Sequence, residues 1–115
     1  YAAEFAALLE RAVAFADDRS DRVLVLSIPD WGVTPFAHDR DQTAISRELD
    51  AYNAAAQALC RARGVVFVDI TGLSRRHGAE PAMLVADDLH PSAAMYALWA
   101  QRAAPLVERL LVPGD

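Results

Sequence analysis

The chain has 115 residues with a net charge of −5; 54% of them are hydrophobic and 23% are charged, as in a globular protein of about one small domain. The negative charge argues against nucleic acid as a partner, because a phosphate backbone rewards clustered basic side chains. The longest apolar runs, such as residues 23–26, are too short to span a membrane, and the single cysteine, Cys60, excludes an internal disulfide.

The first part of the chain predicts a helix, a strand and a second helix. Apolar residues recur with helical spacing over residues 2–16. The continuous apolar run of residues 23–28, which Pro29 ends, is typical of a strand in a parallel sheet that is buried on both faces. After a loop rich in turn residues, a second helical pattern covers residues 42–63, and Gly64 is placed to cap its carboxyl end.

The second part predicts another strand, a loop and a last helix. Residues 65–70 form a second apolar run, and residues 71–85 are predicted to be a loop with room for one short helical turn. The last helix is predicted over residues 92–111, with Ser92 as its N-cap. Pro105 lies inside that helix, and we expect a kink near Ala103 because the proline ring removes a hydrogen bond.

The order of these elements predicts a fold of the α/β class. Alternating helices and strands favour parallel strands that are joined by helical crossovers. Two strands do not make a stable parallel sheet that is buried on both faces, so we expect further residues to complete the sheet. The chain also starts at Tyr1 and enters a helical pattern at once, so we interpret it as a piece of a longer domain.

The segment of residues 85–92 contains the strongest candidate for chemistry. Asp87 and His90 lie three residues apart in a short polar break before a helix start. A carboxylate at this spacing can accept the Nδ1 hydrogen of the imidazole and leave Nε2 free as a general base. These are two of the three members of a serine-hydrolase triad, and the chain shows no serine in a strand-to-helix elbow. An ordinary surface loop, with His90 packed against the helix and Asp87 solvated, explains the same pattern equally well.

The position of this pair in the predicted fold favours a site. In an open parallel sheet, ligands bind beyond the carboxyl ends of the strands. We expect the Asp87 and His90 turn at that edge, with residues 83–85 running at the level of the sheet.

Other polar residues are weaker candidates. Ser27 lacks the small neighbours of a nucleophile and is better explained as a buried strand residue, Ser74 is no stronger, and Ser92 is better explained as a helix cap. His38 and His77 lie in predicted polar loops without an acidic residue placed to form a metal site with them. The sequence therefore predicts neither a metal nor a cofactor.

Three segments together carry a resemblance to a known family. Residues 87–92, Asp-Asp-Leu-His-Pro-Ser, resemble the last sequence block of the SGNH (GDSL-type) hydrolases, in which an aspartate and a histidine three apart precede a proline and a final helix. Residues 23–29 resemble that family's strand ending in proline, and residues 65–69 resemble the strand before its catalytic loop. Asp88 stands where the family commonly has glycine, and aspartate tolerates the left-handed backbone region better than most residues.

The resemblance covers nearly the whole chain and assigns residues 1–115 to the carboxyl-terminal part of a single SGNH hydrolase domain. It implies a three-layer α/β/α flavodoxin-like sandwich with a parallel sheet, and hydrolysis of a small-molecule ester without a cofactor. His90 would be the general base and Asp87 its orienting partner, while the serine and the oxyanion-hole residues would precede Tyr1. The amino-terminal part of the same domain would be a structural partner, and this segment alone would be inactive.

In such an enzyme, Trp31 and Phe36 are candidates for the wall of the acyl or alcohol pocket, because they lie in the loop after the first strand. Ordinary packing is the alternative for both aromatic side chains.

Two other functional classes remain open from the sequence. The first is a non-catalytic SGNH-like module that binds carbohydrate or protein, and the presence of a serine upstream of Tyr1 distinguishes it from an enzyme. The second is an unrelated doubly wound domain. A receiver domain would use Asp69 as the phosphorylated carboxylate together with a later lysine, but the chain contains no lysine. No glycine-rich phosphate loop follows either strand, which disfavours a nucleotide-binding domain.

Overall fold

The computed structural model describes residues 1–112, and its main elements follow the predicted order. Within these residues the helices and strands are α1 (Ala2–Phe15), β1 (Leu24–Leu26), α2 (Gln42–Arg63), β2 (Val66–Val68), α3 (Thr71–His77) and α4 (Ala93–Leu111). Single-turn 3₁₀ helices lie at Ser20–Arg22, Trp31–Val33, Pro35–Ala37 and Pro81–Met83. The predicted loop after the second strand therefore contains a seven-residue helix, α3.

The ends of the longest helix follow local capping signals. The carboxylate of Asp41 accepts a hydrogen bond from the backbone N–H of Ala44 at 3.0 Å and caps the start of α2. Gly64 ends α2 with a φ of 74°, a left-handed conformation that glycine adopts without a steric penalty. Each signal lies next to the helix end that it caps, and the predicted bounds of this helix, residues 42–63, are confirmed.

The start of α4 corrects one prediction. Ser92 occupies the N-cap position, but its side chain makes no cap hydrogen bond to the helix. Its hydroxyl donates instead to the carbonyl oxygen of Ala82 at 2.7 Å, because the chain before the helix folds back against it. At the other end, α4 continues through Pro105 to Leu111, and the kink near Ala103 stays a prediction.

The two strands pair in parallel, which confirms the predicted helical crossover between them. Leu24 pairs with Val66, and Leu26 pairs with Val68. Each strand has three residues, fewer than its apolar run, and in the described part of the chain each strand pairs along one edge. Leu26 is 41% exposed, so the expected burial on both faces is incomplete at the end of β1.

Helices pack against both faces of this strand pair. One cluster joins residues of α1, α2 and the strands: Leu9, Val13, Cys60 and Val65, with Val25 and Phe67 packed against them. The other joins the opposite strand face to α4: Val68, Ile70, Met95 and Trp99, with Leu24 and Val66 packed against them. This alternation along the strands is what a helix-covered parallel sheet requires, and it is compatible with an SGNH-like fold. The complete three-layer sandwich stays a prediction, because the described residues supply two strands.

None of the described helices combines the length and the apolar character needed to cross a lipid bilayer.

Candidate active site

The turn that carries Asp87 and His90 is closed at its base by backbone hydrogen bonds. Leu84 and Pro91 form an isolated antiparallel bridge, and the N–H of Val85 donates to the carbonyl of His90 at 2.9 Å. The turn is therefore a small loop whose two ends are tied together immediately before α4.

The route of the chain into this turn differs from the expectation. Residues 83–85 were expected at the level of the sheet, but Met83 ends a 3₁₀ helix and Leu84 bridges to Pro91 rather than to β2. The N–H of Ser92 donates to the carbonyl of Met83 at 2.8 Å. Because residues 91 and 92 provide the nearest backbone partners, the segment folds back on the start of α4 and adds no strand to the sheet.

One carboxylate organises the turn and contacts the imidazole. Oδ1 of Asp87 accepts hydrogen bonds from the backbone N–H groups of Leu89 and His90, both at 2.9 Å. Oδ2 of Asp87 lies 2.5 Å from Nδ1 of His90. The structure thus brings together the two side chains that the spacing had indicated.

These hydrogen bonds determine the ionisation of Asp87. The hydrogen bond from the His90 side chain, followed by those from the two backbone N–H groups, lowers the pKa of Asp87 from 3.8 to about 2. At neutral pH the carboxylate is ionised and can only accept a hydrogen bond, so Nδ1 of His90 carries the hydrogen. When the imidazole is neutral, its lone pair is then on Nε2.

The imidazole is accessible from solvent. The side chain of His90 is 70% exposed and that of Asp87 is 46% exposed. Among the described residues, Nε2 of His90 has no hydrogen-bond partner. The alternative in which His90 packs against the helix and Asp87 is merely solvated does not describe this arrangement. A proton acceptor at the protein surface is available to a group that approaches from outside.

Asp88 has the left-handed conformation that the sequence had suggested for it. Its φ is 59°, a region that glycine adopts easily and aspartate tolerates. Its carbonyl oxygen accepts a hydrogen bond from the N–H of Phe36 at 3.3 Å, which connects the turn to the loop after β1.

The two aromatic candidates differ in their surroundings. Trp31 lines a cavity of about 50 Å³ beneath the turn, together with Leu89, Pro91 and residues of α4. Phe36 is 46% exposed, and its backbone contacts the turn through Asp88. Trp31 thus supports the turn from below, whereas Phe36 lies at the surface next to it.

Sequence reasoning missed an ion pair between a buried carboxylate and a partly exposed arginine, which anchors the loop after β1. The side chain of Asp30 is 2% exposed and accepts hydrogen bonds from the N–H of Gly32 and from Nε of Arg75, both at 2.9 Å. Arg75 also binds Asp50 at 2.8 Å, so it joins this loop to α2 and α3. The hydrogen bonds to Asp30 and Asp50 raise the pKa of Arg75 above its ordinary value. Asp30 and Arg75 are 45 residues apart, and no local spacing links them.

The candidate nucleophiles Ser27 and Ser74 form hydrogen bonds that connect loops of the fold. Ser27 is 4% exposed, and its Oγ accepts hydrogen bonds from the N–H groups of Ile70 and Thr71 at 2.8 and 3.1 Å. Ser74 is also 4% exposed and donates to the carbonyl of Thr71 at 2.6 Å. In the part of the chain that the structure describes, neither these serines nor Ser92 hydrogen-bonds to His90.

The other two histidines have local partners. Nδ1 of His38 lies 2.9 Å from the carbonyl oxygen of Pro35. His77, expected in a polar loop, is the last residue of α3 and lies 3.0 Å from Glu80, an acidic partner that sequence reasoning did not assign to it. Over residues 1–112, the structure shows no group of three or more histidine, cysteine or acidic residues that could hold a metal ion.

Comparison with known proteins identifies the family. The model of the GDSL-like Lipase/Acylhydrolase family matches residues 1–98, which run from α1 through the Asp87 and His90 turn into α4. No curated protein and no solved structure matches the chain. The match confirms the resemblance at the level of the family and sets aside the receiver and nucleotide-binding alternatives, while the assignment to the carboxyl-terminal half stays a prediction. The chain therefore belongs to the GDSL-like lipase/acylhydrolase family, a group of ester hydrolases.

Proposed function

We propose that the protein hydrolyses carboxylic esters through a Ser-His-Asp triad, with His90 as the general base and Asp87 as its orienting partner. The observation that carries the proposal is the 2.5 Å contact between Asp87 Oδ2 and His90 Nδ1 on an imidazole that is otherwise exposed. Membership of the acylhydrolase family supports the class of reaction.

The proposed reaction follows from this geometry. Nε2 of His90 takes the hydroxyl proton of the serine while the serine oxygen forms a bond to the ester carbonyl carbon. The ionised Asp87 stabilises the imidazolium, which then gives its proton to the leaving alcohol as the ester C–O bond breaks. Water repeats the attack on the acyl-enzyme with His90 again as the base, and the acid and the free serine are released.

The nucleophile in this proposal comes from residues that precede Tyr1, together with the groups of the oxyanion hole. The buried positions of Ser27 and Ser74 and the hydrogen bond from Ser92 to Ala82 support a source outside the described residues. The unpaired strand edges and the exposed Leu26 give such residues a place to extend the sheet into the three-layer flavodoxin-like sandwich.

The substrate in this proposal is a small-molecule ester that enters beside the exposed face of His90. Phe36 is proposed as a wall of the pocket, because its side chain is exposed and its backbone N–H donates to the carbonyl of Asp88 in the turn. Trp31 is proposed to support the turn that carries His90, because it lines the same cavity as Leu89 and Pro91.

The test is His90→Ala in the full-length protein, with hydrolysis of a short-chain ester as the measurement. Loss of the general base from a triad typically lowers turnover about 10⁴-fold or more, and we expect a loss of that size. The control is His38→Ala, which removes an exposed histidine with a local backbone partner and is expected to keep near-native turnover. Near-native turnover in His90→Ala would refute the assignment.

A second measurement examines the proposed source of the serine. The full-length protein is expected to label with a fluorophosphonate probe, whereas residues 1–115 alone are not. Failure of the full-length protein to label would favour the non-catalytic binding module instead.

A further inference from the structure

We propose that Leu89 is a positioning residue for the proposed general base: it anchors the Asp87 and His90 turn in the core of the protein and so keeps the carboxylate and the imidazole oriented for the reaction. This inference rests on the proposed ester hydrolysis at His90. It adds a residue that acts through Asp87 and His90 and not on the substrate itself.

The first support is the burial of the turn. Of residues 85–90, Leu89 is half-buried and the other five are exposed. Leu89 lines the cavity of about 50 Å³ beneath the turn, whose walls are mostly apolar. Removing a leucine side chain from water is favourable, so this residue holds the turn against the body of the protein.

The second support is the nature of the surrounding residues. Met95 and Trp99 line the same cavity and are 2% and 8% exposed. Both belong to the core cluster that packs α4 against the strands. Because protein cores are close-packed, a side chain lodged beside such residues has little freedom to move. Leu89 therefore ties the exposed turn to the core that α4 forms with the strands.

The third support is a direct link from Leu89 to the triad carboxylate. The backbone N–H of Leu89 donates to Oδ1 of Asp87 at 2.9 Å, and the next N–H, that of His90, donates to the same oxygen. The peptide unit between Leu89 and His90 is planar and stiff, so a displacement of Leu89 moves both donors together. The other oxygen of this carboxylate contacts Nδ1 of His90. The position of Leu89 thus determines how the carboxylate meets the imidazole.

The other contacts of the turn do not replace this anchor. The isolated bridge between Leu84 and Pro91 joins the two ends of the turn to each other. From the loop after β1, the N–H of Phe36 donates to the carbonyl of Asp88 at 3.3 Å, longer than the ordinary range of about 2.7 to 3.2 Å. These hydrogen bonds shape the turn, whereas Leu89 sets its place relative to the core.

The experiment truncates Leu89 in the full-length protein and measures hydrolysis of a short-chain ester. Leu89→Ala removes the anchor and retains the backbone donors to Asp87. We expect kcat to fall about 10- to 100-fold with little change in KM, because a misplaced general base slows the chemical step more than it weakens substrate binding. Leu89→Met nearly conserves the apolar volume and should keep kcat within about 3-fold of the wild type.

Leu98→Ala is the matched control. Leu98 is also half-buried, lies on α4 and packs against the same core cluster, so the truncation removes the same atoms from apolar surroundings. It should lower the midpoint of urea unfolding but leave kcat unchanged at a temperature at which the variant is folded. The comparison separates a role in positioning from a general loss of stability.

A second measurement reads the imidazole directly. The ¹⁵N chemical shifts of the two ring nitrogens distinguish the tautomers, and His90→Ala assigns the signals. In the wild-type protein, Asp87 keeps the hydrogen of the neutral ring on Nδ1. We expect Leu89→Ala to raise the fraction of the other tautomer, whereas Leu98→Ala should not.

Wild-type kcat and tautomer in Leu89→Ala, or an equal loss of kcat in Leu98→Ala, would overturn this inference while His90-dependent turnover stands. If Leu89→Ala does not fold, Leu89→Val provides the same comparison with a smaller truncation: a lower kcat supports the inference and an unchanged kcat overturns it. Turnover that does not depend on His90 would overturn the proposed function itself.

Discussion

The carboxylates of Asp87 and Asp30 lie in two loops that contact each other, but they hold their partners in opposite environments. Asp87 is 46% exposed and binds a histidine three residues away in the sequence. Asp30 is 2% exposed and binds Arg75, which lies in α3. An exposed pair contributes little to folding and is accessible to substrate. The Asp30 carboxylate is buried and its partner Arg75 is one-third exposed, and losing the cation is costly to the fold because it leaves a buried charge without a partner. We therefore expect substitutions at the first pair to change activity and substitutions at the second to change stability.

The largest expected effect is on turnover at the exposed pair. Asp87→Asn in the full-length protein should lower kcat for ester hydrolysis about 10⁴-fold, because the asparagine amide favours the imidazole tautomer with its hydrogen on Nε2. The midpoint of urea unfolding should change little, since the side chain is exposed. Near-native kcat in this variant, or a large fall in its urea midpoint, would contradict the contrast between the two pairs.

The next effect is on stability at the pair of Asp30 and Arg75. Arg75→Met leaves the carboxylate of Asp30 buried without a cation, and we expect the free energy of unfolding to fall by about 2 to 4 kcal/mol. Arg76→Met serves as the control, because Arg76 is the exposed neighbour on the same helix and forms no ion pair in the described structure. Urea unfolding of both variants measures the difference. Equal stabilities would show that the Asp30 and Arg75 pair does not anchor the loop.

A smaller effect is expected at Asp88 from the backbone alone. Because its φ is 59°, Asp88→Ala should be less stable than Asp88→Gly by about 1 kcal/mol. Thermal unfolding of the two variants measures the difference. A more stable alanine variant would mean that the turn does not keep this conformation in solution.

The smallest effect is the acid dependence of the turn. The folded-state pKa of Asp87 is about 2, below its ordinary value of 3.8, so its hydrogen bonds contribute stability above that ordinary value, and solvent screening of the exposed pair keeps this contribution small. This contribution is lost as the pH falls from about 4 to about 2, because protonation removes the charged acceptor. Urea midpoints between pH 5 and pH 2 should therefore decline less in Asp87→Asn than in the wild type. Parallel profiles would indicate that the contact with His90 does not lower the pKa.

What could be predicted from the sequence was local. The ends of α2 follow from Asp41 and Gly64, whose effects act within one helical turn. The pairing of Asp87 with His90 needs only a turn between residues three apart, and the left-handed Asp88 makes that turn. The parallel order of the strands follows from the alternation of elements, which leaves few topologies open.

Tertiary structure decided the rest, because the partners are far apart in the sequence and several local outcomes had similar energies. Ser92 has the chemistry of a helix cap, yet the fold brings the Ala82 carbonyl closer and the hydroxyl binds there. Asp30 and Arg75 meet only after α2 and α3 pack against the loop that follows β1. The contact of Phe36 with Asp88 and the cavity under the turn arise from the same packing, which no periodicity in the chain encodes.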